Sequence, residues 1–303
     1  MNALTQEISS LLDGRDIPFR LCGCMSSDVQ SASPFAEIVE ASPQGRNKVY
    51  FIVLEQRTST IEEAAAVALE VEREAGLLDG ETMVVAEDMW RSHYPLVSKR
   101  ILAHCGVFAP VFARNCEIRR IERPAAEAFL RENHSYGGAK MRHCYGLFLK
   151  RHTGHICTDF SDNLPSPGEM VAVAAFSNAR RWDKGGKIIS SYEWVRYASL
   201  AGVRVCGGMG KMLKRFISDV RPDDIMTYAD LEWSSGEVYK ELGFALEGRK
   251  EAVDFSIDTL PWRRIAINRL ERGGFSVPDG NNPEIVFYRN RGSLKYRIKL
   301  TEY

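Results

Sequence analysis

Two stretches in the second half of the chain carry side chains that could do chemistry. The first is Val205-Cys-Gly-Gly-Met-Gly210, which runs into the helix-forming Lys211-Met-Leu-Lys-Arg-Phe216. A glycine turn that opens a helix gathers unpaired backbone N–H groups, and the helix dipole adds partial positive charge, so such a corner can bind an anion. Gly207, Gly208 and Gly210 would let the backbone approach a phosphate closely. A purely structural turn has the same composition. The spacing is neither G-x-x-x-x-G-K-[ST] nor a dinucleotide G-x-G-x-x-G, which disfavours a nucleotide-binding fold. The second stretch is Tyr228 to Phe244, in which Asp230 closes a short apolar run and Tyr239 precedes Gly243-Phe244. A carboxylate at a strand end can accept a proton; as alternatives, Asp230 is a turn residue and Tyr239 a packed aromatic. Glu193 and Arg196 flank Val195 in Tyr192-Glu-Trp-Val-Arg196, where they can pair with each other or anchor a substrate. His134, just ahead of Gly137 and Gly138, can equally finish a helix.

The elements that must position these residues can be read from periodicity. Residues 35–40 and 49–54 are expected as strands around a Ser-Pro-Gln-Gly turn, 59–75 as a helix opened by a capping pattern, 82–86 as a strand and 94–105 as a helix, a ββαβα unit. A second set follows: a helix over 124–132, strands over 144–149, 171–176 and 188–197, a helix over 209–218, a strand over 225–229, a helix over 236–242 and a strand from Phe244. The change of pattern predicts two α/β domains, 1–112 and 113–303.

Strand, glycine turn, helix, strand, helix, Gly-Phe and strand resembles the acyl-CoA site of GNAT-type N-acyltransferases. The resemblance implies a mixed, splayed β-sheet flanked by helices, with acetyl-CoA or another acyl-CoA as cofactor. Val195 and Tyr197 would then line the pantetheine arm, and Val205, Cys206, Gly207, Gly208, Met209, Gly210 and Lys211 the pyrophosphate. Tyr239 falls where the family often has its general acid. One departure is that the family's usual Gln or Arg falls at Val205, with Arg204 one place early. Tyr192-Glu-Trp-Val-Arg196 together with Tyr228-Ala-Asp230 and Gly236-Glu-Val-Tyr239, and with them His134-Ser-Tyr-Gly137, Gly146-Leu-Phe, Val171 to Phe176 before Arg180-Arg181, and Val205-Cys-Gly-Gly, resemble a phage branch that includes the Mom-type DNA modification proteins. That likeness, over about residues 111 to 250, implies modification of a nucleic-acid base, with Asp230 taking a proton from an exocyclic amine and Tyr239 protonating a thiolate. A duplex base would have to be flipped out. A non-catalytic protein that keeps the fold is the alternative.

The first domain resembles the late part of very-short-patch-repair-like endonucleases, a degenerate PD-(D/E)XK-like unit. Glu55-Gln-Arg57 stands where Glu-x-Lys is usual, with Glu37 or Glu40 as the upstream acid. Arginine cannot readily lose a proton, so a scaffold or partner-docking role is favoured over a Mg²⁺-dependent nuclease.

Charge supports such a division. Residues 1–110 hold 9 basic and 16 acidic side chains, a balance of −7, and the remainder 31 and 24, a balance of +7, within a net charge of zero. A cationic run from Arg263 to Lys299 predicts DNA as a partner of the second half, and the acidic first half suits a protein partner. The alternative for the last strand is a solvated edge protected by its charges. With 45% hydrophobic and 26% charged residues the 303-residue chain excludes disorder and coiled coil. No run approaches the roughly 20 apolar residues of a membrane span, and no secretory signal is evident, so a cytoplasmic protein is expected, in the host if phage-encoded. Seven scattered cysteines read as reduced thiols, and His152-x-x-His155-x-Cys157 as a hairpin tip rather than a metal site.

Overall fold

The computed structural model describes residues 1–25, 35–152, 164–278 and 282–303. The chain opens with α1 (Ala3–Asp13), whose Asn2 cap accepts from Thr5 N, followed by β1 (Phe19–Met25), β2 (Ala36–Ala41) and β3 (Val49–Leu54). Then come α2 (Ile61–Leu77), β4 (Glu81–Ala86) and α3 (Glu87–His104). Thr60 accepts from Glu63 N while the Glu63 carboxylate reaches back to Ser59 N, the reciprocal cap that starts α2. Helix α3 begins ahead of the expected Tyr94 and kinks at His93, beside Pro95, which has no N–H to give.

β5 (Ala109–Phe112) and β6 (Cys116–Arg120) lead to α4 (Arg123–Asn133), β7 (His143–Leu149), β8 (Met170–Phe176) and β9 (Arg180–Lys184). β10 (Lys187–Ser199), β11 (Val203–Cys206), α5 (Gly208–Val220), β12 (Asp224–Asp230), α6 (Glu237–Glu241) and β13 (Ala245–Lys250) follow. The chain closes with β14 (Asp254–Asp258), β15 (Arg263–Ala266), α7 (Ile267–Arg272), β16 (Ile285–Arg289) and β17 (Ser293–Lys299).

Two compact units result, one made of residues 1–106, 229–236 and 249–294, the other of 107–228, 237–248 and 295–303. In the first, a sheet ordered β1-β2-β3-β4 is antiparallel except for the parallel pair β3–β4. Strands β2 and β3 are buried along their whole length, which is why Val49-Tyr-Phe-Ile-Val-Leu54 reads as an unbroken apolar run. A second sheet, β15-β14-β16, supplies Phe255, Ile257, Val286 and Tyr288 to a core shared with Ile38, Tyr50, Ile52 and Val84. The unit therefore differs from the expected ββαβα: α1 and β1 precede it, and β1 is mostly exposed. It also reaches beyond residue 112, because the segment after β13 returns to complete its core.

The second unit is a mixed sheet ordered β13-β17-β12-β10-β8-β7-β6, with β9 on the edge of β10. Strands β6, β7, β8 and β10 are antiparallel, and β10 and β12 are parallel. Helix α4 covers one face, packing Ala126, Phe129 and Leu130 on Cys144, Val173, Ala175 and Ala198. Helix α5 covers the other, where the Phe216 ring stacks on Phe176 at 3.8 Å and meets Tyr145 edge-on at 6.3 Å. This is the helix-flanked mixed sheet that the GNAT resemblance implies.

Candidate functional site

Strand β10 positions most of the candidate residues. Tyr192 meets Phe216 edge-on at 5.4 Å and Trp194 stacks on Phe176 at 5.3 Å, which seats both rings on the α5 side. Trp194 pairs with Phe176 and Arg196 with Ala175, so Val195 is the extra residue of a bulge. The bulge resets the alternation. Glu193 and Val195 line a 520 Å³ cleft together with Arg123, Lys140, Met141 and Arg180. Arg196 gives Nε to the Gly137 carbonyl at 3.3 Å and Nη1 to the Val195 carbonyl at 2.8 Å, so it holds the loop after α4.

Beyond the bulge the sheet opens. β10 and β12 pair only at Ser191–Glu193 against Asp224–Met226, after which β10 continues to Ser199 and β12 to Asp230 with no shared register. At the mouth of this gap Thr227 Oγ1 donates to the Trp194 carbonyl at 3.1 Å. Thr227 also acts on the Tyr239 phenol. The Tyr239 ring sits 6.2 Å from Trp194, 5.8 Å from Phe244 and 5.5 Å from Tyr296. Burial pushes its phenol pKa upward, with Thr227 opposing.

Gly207, at φ +74°, caps α5 in the left-handed region, and no side chain caps the helix. The first-turn amides of Gly208, Met209 and Gly210 have no intrahelical acceptor. A Cβ at Gly208 would fall 2.7 Å from the Tyr197 hydroxyl and 2.8 Å from Val205 Cγ1, so only glycine lets the corner close onto β10. A Cβ at Gly210 would meet Leu242 at 3.2 Å. Tyr197 is held so deep that burial drives its phenol pKa well up. Val205 is buried and Cys206 exposed at the end of β11. Lys211 departs from expectation: its ammonium donates to the Ala113 and Cys116 carbonyls at 2.8 and 2.6 Å and is committed to the chain's own backbone.

Two other candidates are engaged in local structure. Asp230 accepts from Glu232 N at 3.0 Å, while its carbonyl accepts from Trp233 N and Ser234 N, so its carboxylate closes a turn. His134 ends α4, bonding Leu130 O through its own N–H and accepting from Tyr136 N at Nδ1. The cross-gap Thr227 was not a candidate, since a threonine inside a strand reads as an ordinary β-former. Arg123 and Lys140 were likewise unmarked, and Arg180 was visible only as part of a dibasic pair.

In the first unit the supposed nuclease acids serve the fold. Glu37 Oε2 accepts from Asn2 N at 2.7 Å and Glu55 Oε1 from Leu4 N at 3.3 Å, so both carboxylates face the start of α1. Glu55 also pairs with Arg57. Glu40 pairs with Arg20 at 2.7 Å and Lys48 at 3.1 Å, which hold its pKa down at about 2. Among the described residues no group of three or more His, Cys, Asp or Glu is placed to hold a metal ion; His155 and Cys157 lie outside them. Deeper in, Arg264 grips Asp88 through two 2.6 Å bonds and lies 3.8 Å from Glu232, which also accepts from the Tyr288 hydroxyl. Burial, followed by the charge of Asp230, pushes Glu232 up to about 7 against the pull of Arg264.

The expected cationic run is neutralised in part. Besides Arg264, Arg289 pairs with Asp254, Arg291 with Glu72, Lys295 with Glu247, and Arg297 with Glu247 and Asp224. Arg263, Arg269 and Arg272 are exposed. Lys299, at the end of β17, is exposed as well, so the run is part paired and part open to solvent.

No protein-family model and no curated protein matches the sequence. Among solved structures, the chain is similar to a Bacillus subtilis acetyltransferase in complex with CoA, at 12% identity over 62% of this chain and 99% of that one, with a TM-score of 0.34. It is similar to the NatC complex bound to Gag peptide and CoA, at 12% identity, 62% and 99% coverage and a TM-score of 0.35. A putative acetyltransferase of the GNAT family from Desulfovibrio desulfuricans gives 12%, 61%, 99% and 0.33. These overlaps are too slight to bear weight on their own, and none of the three speaks for a Mom-like branch or a nuclease.

Proposed function

We propose that the second unit is an acyl-CoA-dependent N-acyltransferase. The parting of β10 from β12 after Glu193 and Met226 carries this reading. Backbone polar groups that a sheet would normally pair are instead turned toward a gap, and an extended polar arm can take their bonds. The residues present fit acyl-CoA in a second respect: Gly207, Gly208 and Gly210 leave a bare corner at the start of the 13-residue helix α5, suited to a pyrophosphate.

In this reading Val195 and Tyr197 border the pantetheine arm, and the backbone from Cys206 to Gly210 holds the phosphates. The cofactor, once bound, supplies an acyl thioester that an amine can attack. Glu193, in the cleft on the α4 side, accepts the proton of the attacking amine at its carboxylate. This assignment moves the base from Asp230, whose Oδ1 is held in its own turn. Tyr239, its phenol pKa raised by burial, keeps a proton on Oη at neutral pH for the departing sulfur. Arg196 positions the 134–137 loop at the acceptor side through Gly137.

Titration calorimetry of the full chain with acetyl-CoA tests the proposal. Saturable binding that Gly208→Val abolishes is the expected result. No heat and no thermal shift at millimolar acetyl-CoA would instead make the unit a non-catalytic relative of the fold.

A further inference from the structure

The cleft beside Glu193 has a charge pattern that an amine acceptor alone does not explain. Its wall brings together Arg123 from the start of α4, Lys140 from the loop before β7 and Arg180 from the start of β9, against a single carboxylate, Glu193. Arg123 shares its Nε with Glu127 at 2.7 Å. Lys140 and Arg180 make no ion pair among the described residues. Met141, Ala179 and Val195 add apolar surface between them.

A plain amine is a cation at neutral pH, and Lys140 and Arg180, which no carboxylate among the described residues pairs, outweigh the single Glu193 and would repel it. An acceptor that enters this cleft therefore has to bring negative charge of its own, placed away from Glu193. Guanidinium forks and an ammonium suit phosphate oxygens, which accept several short charge-assisted bonds at once. The apolar wall suits the organic body of the same molecule, and 520 Å³ lies within the roughly 300–1,000 Å³ of small-molecule sites. We infer that the acceptor is an amine-bearing organic phosphate of nucleotide size, gripped by Arg123, Lys140 and Arg180 while its amine faces Glu193. The inference rests on the acyl-transfer reading for its chemistry, but the grip itself can be tested without it.

The test titrates the full chain with 2′-deoxyadenosine, its 5′-monophosphate and a hexadeoxyadenylate strand, and separately with acetyl-CoA. The monophosphate should bind at least tenfold more tightly than the nucleoside. Lys140→Gln and Arg180→Gln should each weaken that preference, and the double variant Lys140→Glu/Arg180→Glu should erase it, with thermal melting used to confirm an intact fold and acetyl-CoA binding unchanged. A strand that binds more tightly than the monophosphate assigns the phosphates to a nucleic-acid backbone, and equal binding assigns them to a free nucleotide. Equal affinity for nucleoside and monophosphate, or a preference that survives in the folded glutamine variants, overturns the inference. Acetyl-CoA that fails to bind while the phosphate preference holds removes acyl transfer and leaves the phosphate grip standing.

Discussion

Thr227 Oγ1 donates to the Trp194 carbonyl oxygen across 3.1 Å, at the first step where β10 and β12 no longer share a backbone register. A side chain thus takes over where the ladder stops. Thr227 is only 2% exposed, so Thr227→Val leaves a buried polar partner unmet without much change of volume. Urea unfolding should show a loss of about 1–3 kcal/mol, and acetyl-CoA should bind more weakly as the mouth of the gap loses its brace. Unchanged stability and affinity would show that the bridge holds nothing.

Gly208 is a steric requirement. Gly208→Ala places a methyl 2.7 Å from the Tyr197 hydroxyl, and overpacking of this kind costs about 1–3 kcal/mol. Acetyl-CoA affinity should fall at least tenfold. The double variant Gly208→Ala/Tyr197→Phe removes the oxygen in the way and should recover part of both losses. If the second change recovers nothing, the corner is not closed by this contact.

Glu193 and Asp230 can be separated by steady-state kinetics once an acceptor is turning over. Glu193→Gln should lower kcat by about 10²- to 10⁴-fold, the usual worth of a positioned base, with acetyl-CoA affinity intact. Asp230→Asn should lower it less than tenfold, because its turn-closing oxygen survives the change. The opposite ranking would return the base to Asp230.

Glu232 makes the first unit sensitive to pH. Its folded pKa of about 7 lies above the ordinary 4.5, so the folded state holds a proton that the unfolded chain has released. Stability should therefore be greatest from this group below pH 4.5 and decline as pH rises toward 7, by on the order of 3 kcal/mol. Glu232→Gln should flatten that part of a urea-midpoint profile measured from pH 5 to 8. An identical slope in the variant would assign the dependence to another group.

Local signals carried much of the fold. Thr60 and Glu63 announced their helix because capping is a matter of neighbouring residues, and the glycines at 207, 208 and 210 marked a corner for the same reason. Long-range relations were not legible. The bulge at Val195 depends on the partner strand β8, and it decides which of Glu193, Trp194 and Arg196 share a side. Lys211 sits in a glycine motif and reads as a phosphate ligand until the Ala113 and Cys116 carbonyls come within 2.8 Å. The partial neutralisation of the positive run between Arg263 and Lys299 was hidden in the same way, because Asp88, Asp254 and Glu72 are distant in sequence from the arginines they pair with.

The return of residues 249–294 to the first unit has a consequence for biosynthesis. Ile38, Ile52 and Val84 wait for Phe255, Ile257 and Val286 to cover them, so a ribosome must translate through β16 before the earliest strands find their final neighbours. Through that interval β2 and β3 present apolar surface to anything nearby, which is the condition under which nascent chains come to depend on chaperones.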